Sequence, residues 1–189
     1  MIGSFFIHVE KILSNELVAL LLRGPLHIRG LAEALQENHT TVGNKLRVLT
    51  EGNVVDFTTE GKNKVFFLKK SIEARNYAMM AELYKESKAI TTYPVLRKII
   101  HAVLELPDVR LALLFGSYAK GSVNENSDID LFIETGDARV KEELEARYSM
   151  LSVKTGGFNP DNPLVREMIT DHIIIRGVED YFEKIRIFE

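Results

Sequence analysis

The chain has 189 residues, of which 46% are hydrophobic and 27% are charged, values typical of one medium or two small globular domains. It contains no cysteine, which excludes disulfides and thiolate metal sites and favours a reducing, cytoplasmic location. No apolar run approaches the roughly 20 residues that a membrane-spanning helix needs, and the first residues lack the basic start of a secretion signal.

The formal net charge of −3 is unevenly distributed. Residues 23–70 contain eight basic and five acidic side chains, a net charge of +3, so the rest of the chain carries −6. A basic block on an acidic protein favours a polyanionic partner for that block.

Three short helices followed by a β-hairpin are predicted in the first third of the chain. Apolar residues recur with a helical period in His8–Leu22 and Ile28–Gln36, and Thr40 is the predicted cap of a third helix. Two β-rich runs follow, Val54–Thr58 and Lys64–Lys69, with a predicted loop over residues 59–63. The predicted inward face of the third helix consists of Val42, Leu46 and Leu49.

This order of elements, and the stretch IRGLAEALQENHTTVGNKLRVLTEGNVVDF, resemble the winged helix-turn-helix of MarR- and ArsR-type regulators over roughly residues 10–70. The resemblance implies that double-stranded DNA is the partner and transcription regulation the role, with the third helix in the major groove. Docking of a protein and binding of RNA are the alternatives. The side chains expected to contact DNA are Thr41, Asn44, Lys45 and Arg47 on that helix and Lys62 and Lys64 at the hairpin.

A longer helix, Ser71–Lys88, is predicted to link two domains. Its stripe of small and aromatic residues from Ala74 to Tyr84 either covers the winged helix or pairs with a second chain, which would form a homodimer. The predicted division is a DNA-binding domain at residues 1–70, a linker helix at 71–93 and a second domain at 94–189.

The second half alternates helices with short strands, so the fold class is α+β with a small mixed sheet. A helix over Val95–Leu106 leads into a buried strand, Val109–Phe115, and a turn at residues 116–121 opens a short helix. The remaining predicted elements are a strand at Asp128–Glu134, a helix at Val140–Arg147, a strand at Tyr148–Lys154, a helix at Pro163–Thr170, a strand at His172–Ile175 and a helix at Glu179–Ile185.

The residues suited to chemistry lie around the turn at Gly116-Ser117 and in the strand that follows it. A glycine turn opening a helix presents backbone N–H groups to a phosphate. Asp128 and Asp130 alternate with apolar residues, so their carboxylates point to one face of the predicted strand. Paired carboxylates bind Mg²⁺, and a phosphate cradle facing them suits metal-assisted phosphoryl or nucleotidyl transfer.

The segments LLFGSYAKG and SDIDLFIE resemble the signature of minimal DNA polymerase β-type nucleotidyltransferases. The resemblance implies that Gly116, Ser117 and Lys120 bind the phosphates of a nucleoside triphosphate, with ATP expected. Lys120 stands where these proteins usually have arginine. It also implies that Asp128 and Asp130 are catalytic and bind two Mg²⁺ ions.

The sequence departs from this family in the next strand, where a third carboxylate is expected. The segment YSMLSVK has no acid, and Ser152 occupies the matching position. Glu134 lies four residues beyond Asp130, about 13 Å away along a strand, which is too far to share a metal. Glu145 and Asp161 only flank the strand. The second metal site is therefore expected to be weakened.

Three functions are consistent with these features. The first is a regulator that binds DNA and senses a nucleotide through a domain with weak or lost transferase activity, which the missing third acid favours. The second is an active enzyme that transfers a nucleotidyl group, AMP by analogy with minimal relatives paired with toxins, to a protein, RNA or small-molecule hydroxyl. The third is a structural module without either activity, which the intact glycine turn and aspartate pair disfavour.

Overall fold

The computed structural model describes residues 2–107, 109–137 and 139–189, with side chains from Ile12 onward. The chain divides into two compact units, Met1–Ala81 with Phe188–Glu189, and Glu82–Ile187. The second unit begins inside a continuous helix. No helix in these described ranges combines the length and the apolar character needed to cross a lipid bilayer.

The first unit contains three helices, a small sheet and the start of a fourth helix. Its elements are α1 (Ile2–Leu21), β1 (Leu26–His27), α2 (Ile28–Leu35), α3 (His39–Glu51), β2 (Val55–Glu60), β3 (Asn63–Leu68) and α4 (Ile72–Thr92). The three predicted helices and the hairpin are all present. The prediction missed β1, a two-residue strand whose hydrogen-bonding partner lies forty residues away in β3.

The predicted helical faces form the core of this unit. Leu13, Leu17 and Leu21 of α1 are buried, as are the three inward residues predicted for α3. Val9, an apolar residue of the same helical period, is outside the residues with described side chains. Part of the stripe on α4 is buried in the single chain, because Ala74, Ala78 and Ala81 are fully covered. These three alanines therefore pack within the protomer, whereas Tyr77 and Tyr84 of the same stripe are only partly buried.

Helix α1 begins at Ile2, before the predicted His8, and α4 ends at Thr92, beyond the predicted Lys88. Two other local boundaries differ from the prediction for identifiable reasons. The cap of α3 is Asn38, whose Oδ1 accepts the backbone N–H of Thr41 at 2.8 Å, so the prediction of Thr40 was wrong. The hairpin turn is only Gly61-Lys62, because the β-branched residues Thr58 and Thr59 extend β2 to Glu60.

The second unit contains the rest of α4 and the nine elements that follow it. These are α5 (Leu96–Glu105), β4 (Leu111–Phe115), α6 (Gly116–Lys120), β5 (Ile129–Glu134), α7 (Arg139–Arg147), β6 (Leu151–Thr155), α8 (Pro163–Thr170), β7 (Ile173–Arg176) and α9 (Val178–Ile185). Helix α8 has the predicted bounds, and the other elements lie within three residues of theirs.

The four strands of this unit form a small mixed sheet in the order β6-β5-β4-β7. Strands β4 and β7 are antiparallel to their neighbours, whereas β5 and β6 are parallel. One face is apolar and packs against α5 and α7 through Ile129, Leu131, Ile133 and Val153. By the alternation of a strand, Asp130, Phe132 and Glu134 of β5 share the opposite face with Ser152 and Lys154 of β6.

Candidate functional site

The turn at the end of β4 brings the backbone of Gly116 against the carboxylate of Asp130. Gly116 has a φ of +67°, a conformation that L-residues with side chains adopt only with strain. A Cβ at this position would collide with Oδ2 of Asp130. Glycine is therefore required here twice, once for the turn and once for the close approach.

The short helix α6 is held in place by its own packing and closure. The Tyr118 side chain is buried and meets the Tyr93 ring edge-on at a centroid distance of 5.1 Å. Gly121 ends the helix with a φ of 70° and donates its N–H to the carbonyl of Ser117. These contacts fix the direction in which Ser117 and the first N–H groups of the turn point.

The loop before β5 is closed by hydrogen bonds and leads directly to the two aspartates. The Asn124 N–H donates to Ser127 Oγ at 2.9 Å, and the Ser127 N–H donates back to the Asn124 carbonyl at 3.0 Å. Strand β5 starts one residue later than predicted, so the exposed Asp128 precedes it, and the half-buried Asp130 is its second residue. Asp130 lies opposite Phe115, the residue before the glycine turn.

The surroundings of Asp130, taken together, oppose ionisation of its carboxyl group. Burial raises the pKa of this carboxyl above its ordinary value, and the negative charge of Asp128 adds to the effect. The positive charge of Lys154 lowers the pKa, Glu167 raises it, and a hydrogen bond from Ser152 lowers it. The negative charges of Asp128 and Asp130 repel each other, and a divalent cation bound between them would relieve this repulsion.

The register of the sheet places Ser152 in the predicted position. Asp130 and Ser152 are direct partners in the parallel pair β5–β6, although β6 begins three residues later than predicted. A serine hydroxyl, neutral at physiological pH, therefore lies beside Asp130. The third carboxylate is missing from this position of β6.

The three other acids weighed from the sequence are engaged elsewhere. Oε1 of Glu134 accepts the Phe158 N–H and the Lys184 ammonium, both at 3.0 Å. Oε1 of Glu145 accepts the Val153 N–H at 2.8 Å. Asp161 lies 3.7 Å from Arg166. Within the three described ranges, no group of three acidic, histidine or cysteine side chains is arranged to hold a metal ion.

The fold brings one further acid to the site, Glu167, which was not predicted from the sequence. Its Oε1 accepts a hydrogen bond from Lys120 Nζ at 3.0 Å, and its charge acts on Asp130. The segment carrying Glu167 was predicted as a helix, and it is α8. Only the packing of α8 against the sheet decides that this side chain meets Lys120.

The donor set fits Mg²⁺ in the company of a nucleotide. Asp128 and Asp130 supply hard oxygen ligands, and Mg²⁺ typically takes one or two protein carboxylates together with substrate phosphates. The glycine turn next to them supplies N–H groups for those phosphates. Two carboxylates without a third are sufficient for one such ion.

The residues predicted to contact DNA all lie in the first unit. Asn44 and Arg47 are exposed on α3, whereas Thr41 and Lys45 are half-buried. The Arg47 guanidinium is paired with Glu51 at 3.0 Å. Lys62 is exposed at the hairpin turn, and the Lys64 ammonium lies 3.8 Å from the centroid of the Phe57 ring.

Comparison with known proteins agrees with the geometry of the second unit. The family model described as nucleotidyltransferase domain matches residues 96–185, which include the glycine turn and both aspartates. A protein of Methanocaldococcus jannaschii, named as a proposed protein adenylyltransferase, is 34% identical over 85 residues. The aligned region covers 41% of this chain and 89% of that protein.

Proposed function

The chain belongs to the nucleotidyltransferase family through its domain at residues 96–185, and from this premise we propose that it transfers an adenylyl group from ATP to a protein hydroxyl. The name of the related archaeal protein supports a protein acceptor. The missing third carboxylate was expected to weaken or abolish the transferase activity, and we propose that it makes the transfer slow.

The observation that carries the proposal is the contact between the glycine turn and Asp130. A phosphate cradle and a carboxylate pair occur in many folds separately. Here a Cβ on Gly116 would collide with Asp130, so the phosphate-binding backbone and the metal-binding carboxylate form one site.

Each residue has a role that follows from its position. The N–H groups at Gly116 and Ser117 and the ammonium of Lys120 bind the triphosphate. Asp128 and Asp130 would hold Mg²⁺, which would neutralise the phosphate charge that develops in the transfer. Ser152, the direct strand partner of Asp130, lowers the pKa of that carboxyl and helps to orient it.

The reaction exchanges one phosphorus–oxygen bond for another. The acceptor hydroxyl oxygen forms a bond to the α-phosphorus while the bond from that phosphorus to the bridging oxygen breaks. Pyrophosphate leaves with the electron pair, and the hydroxyl proton passes to water. Because Ser152 is a poor base, the site positions the hydroxyl without strongly activating it, and we expect turnover to be low.

Two measurements test the proposal with the full chain. Binding of Mg–ATP is measured by calorimetry, and transfer is followed with ATP labelled on the α-phosphate and protein acceptors from the source cell. We expect label on protein and release of pyrophosphate for the wild type, and neither for Asp128→Ala/Asp130→Ala. Mg–ATP binding without label transfer to any protein would leave a nucleotide sensor and refute the transferase.

We also propose that the first unit is a winged helix that binds double-stranded DNA. The supporting observation is that α3 buries one face and exposes Asn44 and Arg47 on another, with Lys62 exposed at the nearby hairpin turn of the same unit. Asn and Arg read base edges, and Lys contacts phosphates. Arg47 must leave Glu51 to do so, at a cost below about 1 kcal/mol for an exposed pair.

A gel shift with the DNA upstream of the coding region tests this second role. Lys45→Ala and Arg47→Ala should weaken binding, whereas Lys98→Ala in α5 of the second unit should not. Equal affinity for unrelated DNA at 150 mM salt, or tighter binding of RNA, would contradict it. A homodimer stays a prediction, which sedimentation of the same samples tests.

A further inference from the structure

A cavity of about 380 Å³ opens beside the edge strand β6 in the second unit. Its lining includes three buried apolar residues, Phe132, Val153 and Val165. Its charged lining groups are two lysines from different elements, Lys141 of α7 and Lys154 of β6. Among the residues that the structure describes, no acidic side chain lines it.

Two of the lining residues lie on the sheet face that carries Asp130 and Ser152. Phe132 is two residues beyond Asp130 in β5, and Lys154 is two residues beyond Ser152 in β6. Two residues along a strand span about 7 Å, so the lining begins one side chain away from the carboxylates. The positive charge of Lys154 is felt at Asp130.

Helix α8 borders both regions. Leu164, in its first turn, lines the cavity and is 39% exposed. Glu167, one turn later, binds Lys120 on the phosphate side. A group bound in the cavity therefore lies beside the aspartates, next to β6 and the first turn of α8. Gly116 and Ser117, which bind the triphosphate in this proposal, lie on the other side of the aspartates.

Both lysines of the cavity lack a direct ion pair. Among the described residues, neither Lys141 nor Lys154 has an ion-pair partner within 4.0 Å, and Asp130 acts on Lys154 only through its charge. The first turn of α8, whose Asn162 cap also lines the cavity, adds the partial positive charge of a helix start. Apolar lining residues and two cationic side chains complement a peptide that carries acidic side chains.

Two observations decide how such a peptide binds. The outward N–H of Val153 on the edge strand is already occupied by Glu145, so a strand cannot be added to β6 at this residue. The peptide must therefore insert side chains. RNA is disfavoured, because the lining aromatic ring, Phe132, is only 4% exposed and offers no platform on which a base can stack.

We propose that this cavity is the acceptor subsite, and that it takes a protein segment whose hydroxyl-bearing residue is flanked by acidic side chains. The carboxylates of the segment pair with Lys141 and Lys154, and the hydroxyl then reaches the α-phosphate beside Asp130. The inference rests on the proposed transferase function, and it assigns the class of acceptor.

Binding of fluorescent peptides tests the subsite separately from catalysis. Three peptides share one central hydroxyl residue and differ in acidic, neutral or basic flanks, and anisotropy is measured on the full chain with Mg²⁺ and a non-hydrolysable ATP analogue. We expect the acidic peptide to bind tightest, and Lys141→Glu or Lys154→Glu to weaken it about tenfold. Lys98→Glu, on α5 and outside the cavity, is the matched control.

Reversing the charge of both lysines gives a more discriminating test of the subsite. The double variant Lys141→Glu/Lys154→Glu should prefer the basic peptide over the acidic one. No preference among the three peptides, tighter binding of a single-stranded RNA, or losses equal to those of Lys98→Glu would overturn the subsite. A parallel loss of ATP-analogue affinity that accounts for the whole effect would assign the lysines to the nucleotide and would also overturn it.

The same samples separate the two proposals. Transfer of label to peptides without preference for acidic flanks would refute the subsite and leave the transferase intact. Binding of the acidic peptide through both lysines without transfer to any acceptor would support the anionic subsite and refute the transferase.

Discussion

Two features oppose a side chain at position 116. The backbone has a left-handed conformation, and the carboxylate of Asp130 occupies the space that a Cβ would need. The left-handed φ alone costs a residue with a Cβ about 1–2 kcal/mol. The collision with Asp130 adds to this cost, because the carboxylate must move away from the place where it serves the site.

Gly116→Ala should therefore lower the free energy of unfolding by at least about 1 kcal/mol and abolish Mg–ATP binding. Chemical denaturation and calorimetry measure the two effects. Gly136→Ala is the control, because a Cβ at Gly136 meets no atom within 4 Å. An alanine at position 116 that binds Mg–ATP like the wild type would refute the role of this turn.

A substitution at Glu167 tests whether an acid from outside β6 replaces the missing third carboxylate. Its side chain is 59% exposed and pairs with Lys120, which is 41% exposed, so the pair adds less than about 1 kcal/mol to stability. The pair instead competes with the triphosphate for the same ammonium.

Glu167→Gln should raise the affinity for Mg–ATP several-fold, because it frees the Lys120 ammonium to bind the triphosphate. Titration calorimetry measures the affinity, and Glu142→Gln on the exposed part of α7 serves as control. A fall in Mg–ATP affinity would instead identify Glu167 as a ligand of the metal.

Among the elements, α3 shows how one side chain defines a helix start. The backbone N–H of Thr41 would otherwise lack a partner, and the Asn38 side chain accepts it. Thr40, the predicted cap, is an exposed residue inside the helix.

Asn38→Ala should lower the free energy of unfolding of the first unit by about 1 kcal/mol, whereas Thr40→Ala should change it little. Thermal denaturation followed by circular dichroism compares the two variants. Equal destabilisation, or a larger effect at Thr40, would show that the helix begins elsewhere. Asn38→Ala should also weaken DNA binding in proportion to the fraying of α3.

On the scale of the whole molecule, stability depends on a buried charged cluster in the second unit. Glu82, where this unit begins on α4, has a side chain only 3% exposed, and Oε2 lies 3.4 Å from His172 Nε2. Lys85 approaches the same oxygen at 2.8 Å. His172 Nδ1 lies 3.0 Å from the Met168 carbonyl and 3.4 Å from the Tyr181 hydroxyl.

The cluster makes stability depend on pH through Glu82. Burial opposes its ionisation, but the close approach of His172 and the charge of Lys85 prevail, so the pKa of Glu82 lies below its ordinary value of 4.5. A depressed pKa in the folded state gives stability that is present above the unfolded pKa. That stability is lost as the pH falls through the folded value.

Glu82→Gln should lower the free energy of unfolding by about 3 kcal/mol at pH 7, since it leaves the buried His172 without its charged partner. The difference from the wild type should shrink as the pH falls below 4.5. Urea denaturation from pH 7 to pH 3 measures this. Glu86→Gln is the control: burial raises the pKa of Glu86, so that variant should not destabilise at pH 7. A pH-independent difference would refute the assignment.

The sequence by itself determined the local parts of this protein. Helical periods, the glycine turn and the spacing of Asp128 and Asp130 depend on neighbours a few residues apart, so the helices, the hairpin, the mixed sheet and the signature of the site were all predictable. Even the serine in place of the third acid followed from counting along β6, and the pairing of Asp130 with Ser152 places it there.

Only the tertiary structure decided which distant residues meet. Lys120 and Glu167 are 47 positions apart, and Glu82 and His172 are 90 apart. The cavity beside β6 combines a strand face, α7 and the start of α8. Such contacts depend on the register of strands and on the packing of helices against the sheet. These are set by the sum of many buried contacts, and no short stretch of sequence contains that sum.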